Sequence, residues 1–140
     1  LDPGFYAREI FPHISIKTET PKLRVSITPR KDMFINQEDY FCYVSNLLNF
    51  VKKLQKEFDV EIYLTSLAFD ADYDAIKDVI HNLRILTDSR LKSRFQVIKF
   101  TNLNDAWQFY STMDIIVTSR MHDGISGMSA SKPAIFVFSI

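Results

Sequence analysis

The sequence predicts an α/β domain with a parallel sheet covered by helices on both faces, and three observations carry that expectation. Short runs rich in β-branched and aromatic residues alternate about five times with longer helical stretches. The longest of those stretches repeats its apolar residues at three- and four-residue steps, the period of an amphipathic helix. A length of 140 residues with a hydrophobic fraction of 46% matches one ordinary domain with ample apolar area for a core. The alternation is that of a Rossmann-like half, and right-handed crossovers make 3-2-1-4-5 the expected strand order.

Residues 1–22 read as a linker segment: Asp2, Pro3 and Gly4 mark a turn, and Pro12 and Pro21 block regular helix. The domain proper is expected over residues 23–140. Its first strand, Leu23 to Thr28, reads LRVSIT and ends at Pro29, Arg30, Lys31 and Asp32. From Asn36 to Phe58, apolar Phe41, Val44, Leu48 and Val51, with Tyr40, Leu47 and Leu54 alongside, predict a helix. Asn36 is a suitable N-cap, and Glu38 and Asp39 suit the positive end of the helix dipole.

A short strand is expected over Val60 to Leu64, followed by a polar loop with Ser66, Asp70, Asp72 and Asp74 and a helix through Ile76, Val79, Ile80 and Leu83. The run from Leu86 to Arg94 reads as a solvated loop or frayed helix end. Phe95 to Phe100 is the third strand, and Asn102 or Asn104 caps a short helix through Ala106, Trp107 and Tyr110. The last unit, Met113 to Phe138, reads as strand, turn, small-residue helix and strand, with Ser119, Arg120 and His122 where the first of these strands ends.

Composition excludes some function classes. With 17 basic and 17 acidic residues the net charge is +0, so no overall field steers the chain to nucleic acid or an anionic membrane. The single Cys42 has no partner for a disulfide or a metal cluster and fits a reducing, cytoplasmic setting. No apolar run is long enough to span a bilayer. Leu1 is not an initiator methionine, and the expectation is a piece of a longer protein.

Open parallel sheets bind ligands outside the carboxyl ends of their strands. Those ends are expected to deliver Thr28 and Arg30, Thr65 and Ser66, Thr101 and Asn102, and Ser119, Arg120 and His122. Arginine beside a helix N-terminus suits an anion, because the planar donor fork adds to unpaired backbone N–H groups. No G-x-G-x-x-G fingerprint or Walker loop is present, which disfavours ordinary NAD or ATP binding. Two glycines in the last helix, Gly124 and Gly127, cost roughly 1 kcal/mol each against alanine. A neighbouring strand is expected to explain one, and a ligand beside Arg120 and His122 the other. Asp70, Asp72 and Asp74 are read as helix caps and dipole partners in preference to a metal site, and His13 and His81 as surface or loop residues.

The final unit resembles the polysaccharide pyruvyl transferase family. The residues that carry the likeness are Asp114 opening a strand, Arg120-Met121-His122 at its end, the small residues Gly124 to Ser131, and Pro133 to Phe138. Asp2-Pro3-Gly4-Phe5 is similar to the family's entrance to its C-terminal half, and Ile27 to Arg30 to its first strand. Two positions depart from the pattern: Asp123 stands where a small residue is commoner, and Ser131 where glycine usually precedes the lysine and proline.

The resemblance implies the C-terminal half of a GT-B-like two-domain enzyme of exopolysaccharide and cell-envelope biosynthesis. Its donor would be phosphoenolpyruvate, with no further cofactor and no metal. Its partners would be a sugar or lipid-linked glycan acceptor and a missing N-terminal domain, with no nucleic acid and no membrane span. Its place would be cytoplasmic, at most peripheral to the inner membrane face through the glycan. His122 and Arg120 would be catalytic, and Arg30, Thr28, Ser119, Asp123 and Gly124 would bind substrate. Two rivals stand beside this reading, a GT-B nucleotide-sugar glycosyltransferase and a non-catalytic domain that binds an anion or sugar.

Overall fold

The structure, a computed structural model, describes residues 22–67, 70–86 and 95–137. Most of the linker segment, and residues 87–94 of the charged run, lie outside the described residues. Five strands alternate with four helices: β1 (Leu23–Thr28), α1 (Gln37–Glu57), β2 (Val60–Leu67), α2 (Asp70–Leu86), β3 (Phe95–Phe100), α3 (Leu103–Ser111), β4 (Ile115–Thr118), α4 (Met121–Ser129) and β5 (Ala134–Phe136). All the strand pairs are parallel, and the order is β3-β2-β1-β4-β5, as the alternation and crossover hand predict.

The period of two in β1 divides the core. Val25 and Ile27 face α1 and α2, joining Tyr40, Val44, Leu47, Leu48, Val51, Ile62, Leu64, Ile76 and Val79 in one apolar cluster. Ser26 and Thr28 face the other way, toward α3 and α4. There Tyr63, Phe100, Ala106, Tyr110, Met113 and Ile116 form the second cluster. Asp114 serves this frame, since its Oδ2 accepts from the Arg24 backbone N–H at 2.7 Å and so extends the β1–β4 ladder beyond the strand itself.

Asn36 caps α1 as expected, its side chain accepting from the Asp39 N–H at 2.8 Å. Asn102, not Asn104, caps α3 in the same way through the Asp105 N–H at 2.8 Å. Each such cap contributes about 1 kcal/mol.

Four expectations change. Phe41 is 55% exposed, because the buried face of α1 runs through Tyr40, Val44, Leu47, Leu48 and Val51 and leaves position 41 a turn-sector away. Strand β2 runs to Leu67, its ladder to β3 continuing through Thr65, Ser66 and Leu67, so Thr65 and Ser66 are buried strand residues and not part of a loop at its end. Asn102 is spent on its cap. Both glycines of α4 answer to helix–sheet packing: a Cβ at Gly124 would collide with the Phe136 ring, and one at Gly127 with Ile116 Cδ1. No ligand is needed to explain either.

The end of α4 explains a further oddity of the sequence. Ser131 takes a left-handed conformation with φ 62°. Its N–H donates to Met128 O at 2.9 Å while that of Lys132 donates to Gly127 O at 3.0 Å, which is the Schellman arrangement for stopping a helix. That position favours glycine, the residue the resemblance leads one to expect there.

Candidate functional site

The strand order reverses direction between β1 and β4, since β1 leads through α1 to β2 on one side while β4 leads through α4 to β5 on the other. A crevice at such a switch point is where open α/β sheets take their ligands. Arg30 follows the end of β1 and Arg120 the end of β4, so the two predicted cations flank this point.

The structure brings them together on one carboxylate. Asp32 Oδ1 accepts from Arg30 Nε at 2.5 Å and from Arg120 Nη2 at 3.2 Å. Its Oδ2 accepts from Arg30 Nη2 at 3.4 Å and from Arg120 Nη2 at 3.2 Å. The Arg30 hydrogen bond, with the charges of both arginines, holds the Asp32 carboxyl below the usual carboxylate range against the opposing effect of burial.

Arg120 is held a second time, from inside. Asp72 Oδ1 accepts from its Nε at 2.9 Å and from its Nη2 at 2.7 Å, and Asp72 has no exposed surface. The capping role expected of Asp72 is therefore corrected: its side chain leaves its own helix and crosses to the end of β4. Burial raises the Asp72 pKa, and the hydrogen bonds and charge of Arg120 offset this only in part. Burial also opposes the charge of Arg120, but Asp72 and Asp32 outweigh it and keep the guanidinium protonated. Asp74 pairs with Lys77 at 2.6 Å, so the acidic run does not converge.

Thr28, Ser119 and Asp123 lie beneath the arginines, each 2% exposed or less. Ser119 Oγ shares a hydrogen bond of 3.0 Å with the Tyr43 hydroxyl, which also accepts from the Arg30 N–H at 3.3 Å. Thr28 Oγ1 shares one of 2.6 Å with Thr65 Oγ1, and Thr65 one of 3.1 Å with Ser26. Tyr110 lies beside Thr65 and Thr28 of this hydroxyl layer and donates to Asp123 Oδ1 at 2.6 Å. Burial, with some help from the Asp72 charge, pushes the Asp123 carboxyl up to about 6 although Tyr110 stabilises its charged form. The same burial, with Asp123 beside it, pushes the Tyr110 hydroxyl well above its ordinary range.

His122 and Met121 are exposed in the first turn of α4, where no side chain caps the helix. Gly124 is buried one residue beyond Asp123, its N–H on Arg120 O at 3.3 Å. Its part in the site is to let α4 sit close to β5. To one side, an apolar pocket of about 190 Å³ opens between Tyr43, Leu47 and Phe50 of α1 and Val117, Ile135 and Val137.

Sequence reasoning missed Asp32, Asp72, Tyr43 and Tyr110 as parts of this site. Asp72 had a readable signal, because positions 72, 75, 76 and 79 share the buried face of α2, and an acid on such a face needs a cation. Asp32 stands two residues beyond Arg30 and had none beyond that closeness.

An α/β domain with two arginines converging at its switch point presents planar cations where open sheets of this class take their ligands. The chain belongs to the polysaccharide pyruvyl transferase family, whose sequence profile matches residues 1–139. That membership makes it part of a transferase system with a glycan on the acceptor side. No curated protein sequence matches the chain. Among the described residues, no helix is long and apolar enough to cross a membrane.

Proposed function

We propose that this domain binds phosphoenolpyruvate and supports transfer of its pyruvyl group to a sugar of a glycan, forming a ketal and releasing phosphate. The observation that carries the reading is the convergence of Arg30 and Arg120 on the Asp32 carboxylate. Two guanidiniums from different strand ends within reach of one planar anion suit the carboxylate or phosphate of the donor. Asp32 is 43% exposed at its side chain and can turn out to solvent, which leaves its position to the incoming group. Arg120 keeps its grip on buried Asp72 throughout.

The chemistry then has defined needs. A proton must reach the methylene carbon of the donor, a first sugar hydroxyl must bond through its oxygen to C2 and give up its proton, and the C–O bond to phosphate must break, the phosphate taking up the remaining proton. A second sugar hydroxyl closes the ketal and gives up its proton. His122, exposed at the uncapped start of α4, is the general acid of this scheme. Arg120, Arg30 and the α4 N-terminus stabilise the negative charge that gathers on the leaving phosphate.

The test is phosphate release from phosphoenolpyruvate by the full-length protein with candidate glycans. Arg120→Ala and His122→Ala should each lower the rate by about 100-fold or more, the scale of losing a charge-stabilising donor or a positioned acid, with folding checked by circular dichroism because Arg120→Ala leaves the buried Asp72 carboxylate without its cation. Wild-type rates in either variant would remove that residue from the mechanism. Turnover of a nucleotide sugar instead would favour a glycosyltransferase.

A further inference from the structure

We infer that Asp72 is the residue that positions Arg120 for anion binding. The inference rests on the anion-site reading above and adds to it a supporting residue from the first turn of α2. Asp72 belongs to the first turn of α2, where an acidic side chain that served its own helix would turn to that helix's backbone N–H groups. It instead reaches a residue 48 positions away along the chain.

The geometry of that reach is specific. One oxygen, Oδ1, takes both Nε and Nη2 of Arg120, at 2.9 and 2.7 Å, which fixes the plane of the guanidinium as well as its place. The other oxygen, Oδ2, is buried and takes no hydrogen bond from any described residue, so the carboxylate has no second task. Strand β1 lies between β2 and β4 in the sheet, and the Asp72–Arg120 pair therefore bridges over the carboxyl end of β1, at the switch point itself.

The two acids on Arg120 are not equivalent. Asp32 is 43% exposed at its side chain and meets the guanidinium from the outer side, where it can be displaced. Asp72 is 0% exposed and meets it from within, where it cannot leave without stranding a buried charge. Asp72 sets the orientation in which the cation is presented, and Asp32 meets it at the outward position. Asp72 touches no substrate in this scheme. It is a positioning residue.

The experiment uses the full-length protein and four forms: wild type, Asp72→Asn, Arg120→Ala and the double variant. Inorganic phosphate and phosphoenolpyruvate are titrated separately by calorimetry, and the exchange of the Arg120 Nε–H is followed by ¹⁵N NMR. The near-isosteric Asp72→Asn keeps the shape of the site and the fold. It is expected to weaken both anions about tenfold or more, on the scale of a misplaced binding group. Arg120→Ala leaves the buried Asp72 carboxylate without its cation, so in that background the same change is expected to cause no further weakening of either anion. The Arg120 Nε–H should exchange faster in Asp72→Asn than in wild type.

Equal affinity in wild type and Asp72→Asn, or an equal loss with and without Arg120, overturns the positioning role. So does an Arg120 Nε–H that exchanges at the same rate in both, whether or not a ligand binds. Coupled weakening of phosphate binding in a protein that does not turn over phosphoenolpyruvate upholds the role of Asp72 and removes the pyruvyl-transfer reading. Turnover without coupling does the reverse.

Discussion

Asp32 bridges Arg30 and Arg120 with a single carboxylate, so the two arginines share an anion supplied by the chain itself. The bridge competes with the donor. Asp32→Asn should therefore tighten inorganic phosphate and phosphoenolpyruvate about fivefold, the equivalent of the roughly 1 kcal/mol that a largely exposed ion pair contributes. A titration in which Asp32→Asn binds either anion more weakly than wild type would show that Asp32 helps to build the site. At this scale the sequence was partly legible. Arg30, Ser119, Arg120 and His122 announce themselves by following strands, and a chain read in order places them at one edge of the sheet. Their partners are harder to read, because Asp32, Asp72 and Tyr43 meet the arginines only through tertiary approach, and linear spacing records none of it.

Asp123 adds a pH dependence at the same scale. Its carboxyl titrates at about 6 in the folded protein and near 3.9 in an unfolded chain, so between these values the native state binds the extra proton. Protonation then favours folding. This contribution is fully present below about pH 4 and is lost as pH rises through about 6. The loss is on the order of 3 kcal/mol, from a shift of roughly two pH units. Asp123→Asn removes the titration, and thermal unfolding followed from pH 4 to 7 should fall less steeply in that variant than in wild type. Parallel curves for the two proteins would contradict the burial of a titrating carboxyl at this position.

Among the elements, α4 shows most clearly how sequence and packing divide the explanation. Its small residues invite a ligand reading, yet Gly124 lies against Phe136 of β5 and Gly127 against Ile116 of β4. Helix–sheet contact was the plainer account, and it holds for both. Gly124→Ala forces a methyl group into an aromatic ring and should destabilise the protein by about 1–3 kcal/mol, as overpacking does. Ser131→Gly should act oppositely. A serine held at φ 62° bears a steric penalty that glycine avoids, and the substitution should add about 1 kcal/mol of stability, less the entropy glycine brings to the unfolded chain. Melting curves of the two variants check both signs. The helix ends at Asn36 and Asn102 were legible because capping is local chemistry. The length of β2 was not, since only the ladder to β3 extends it to Leu67.

For the whole molecule, strand order followed from alternation and crossover hand, and it decides where function can reside. Placing β1 beside β4 sets the ends of two strands, and with them two arginines, on either side of the switch point. The same frame turns Ser26, Thr28 and Thr65 into a buried hydroxyl layer beside the Tyr110–Asp123 hydrogen bond. Family membership identifies the transferase system to which this arrangement belongs, and the proposed donor fits the paired cations.

The most direct measurement follows phosphoenolpyruvate labelled with ¹³C in its three carbons, incubated with the full-length protein and a glycan acceptor. Phosphate release is recorded beside the label recovered in the glycan. The pyruvyl-transfer reading predicts one phosphate released for each labelled ketal formed, with both lost together in Arg120→Ala. Phosphate released with no label in the glycan, or undiminished transfer in Arg120→Ala, would contradict it.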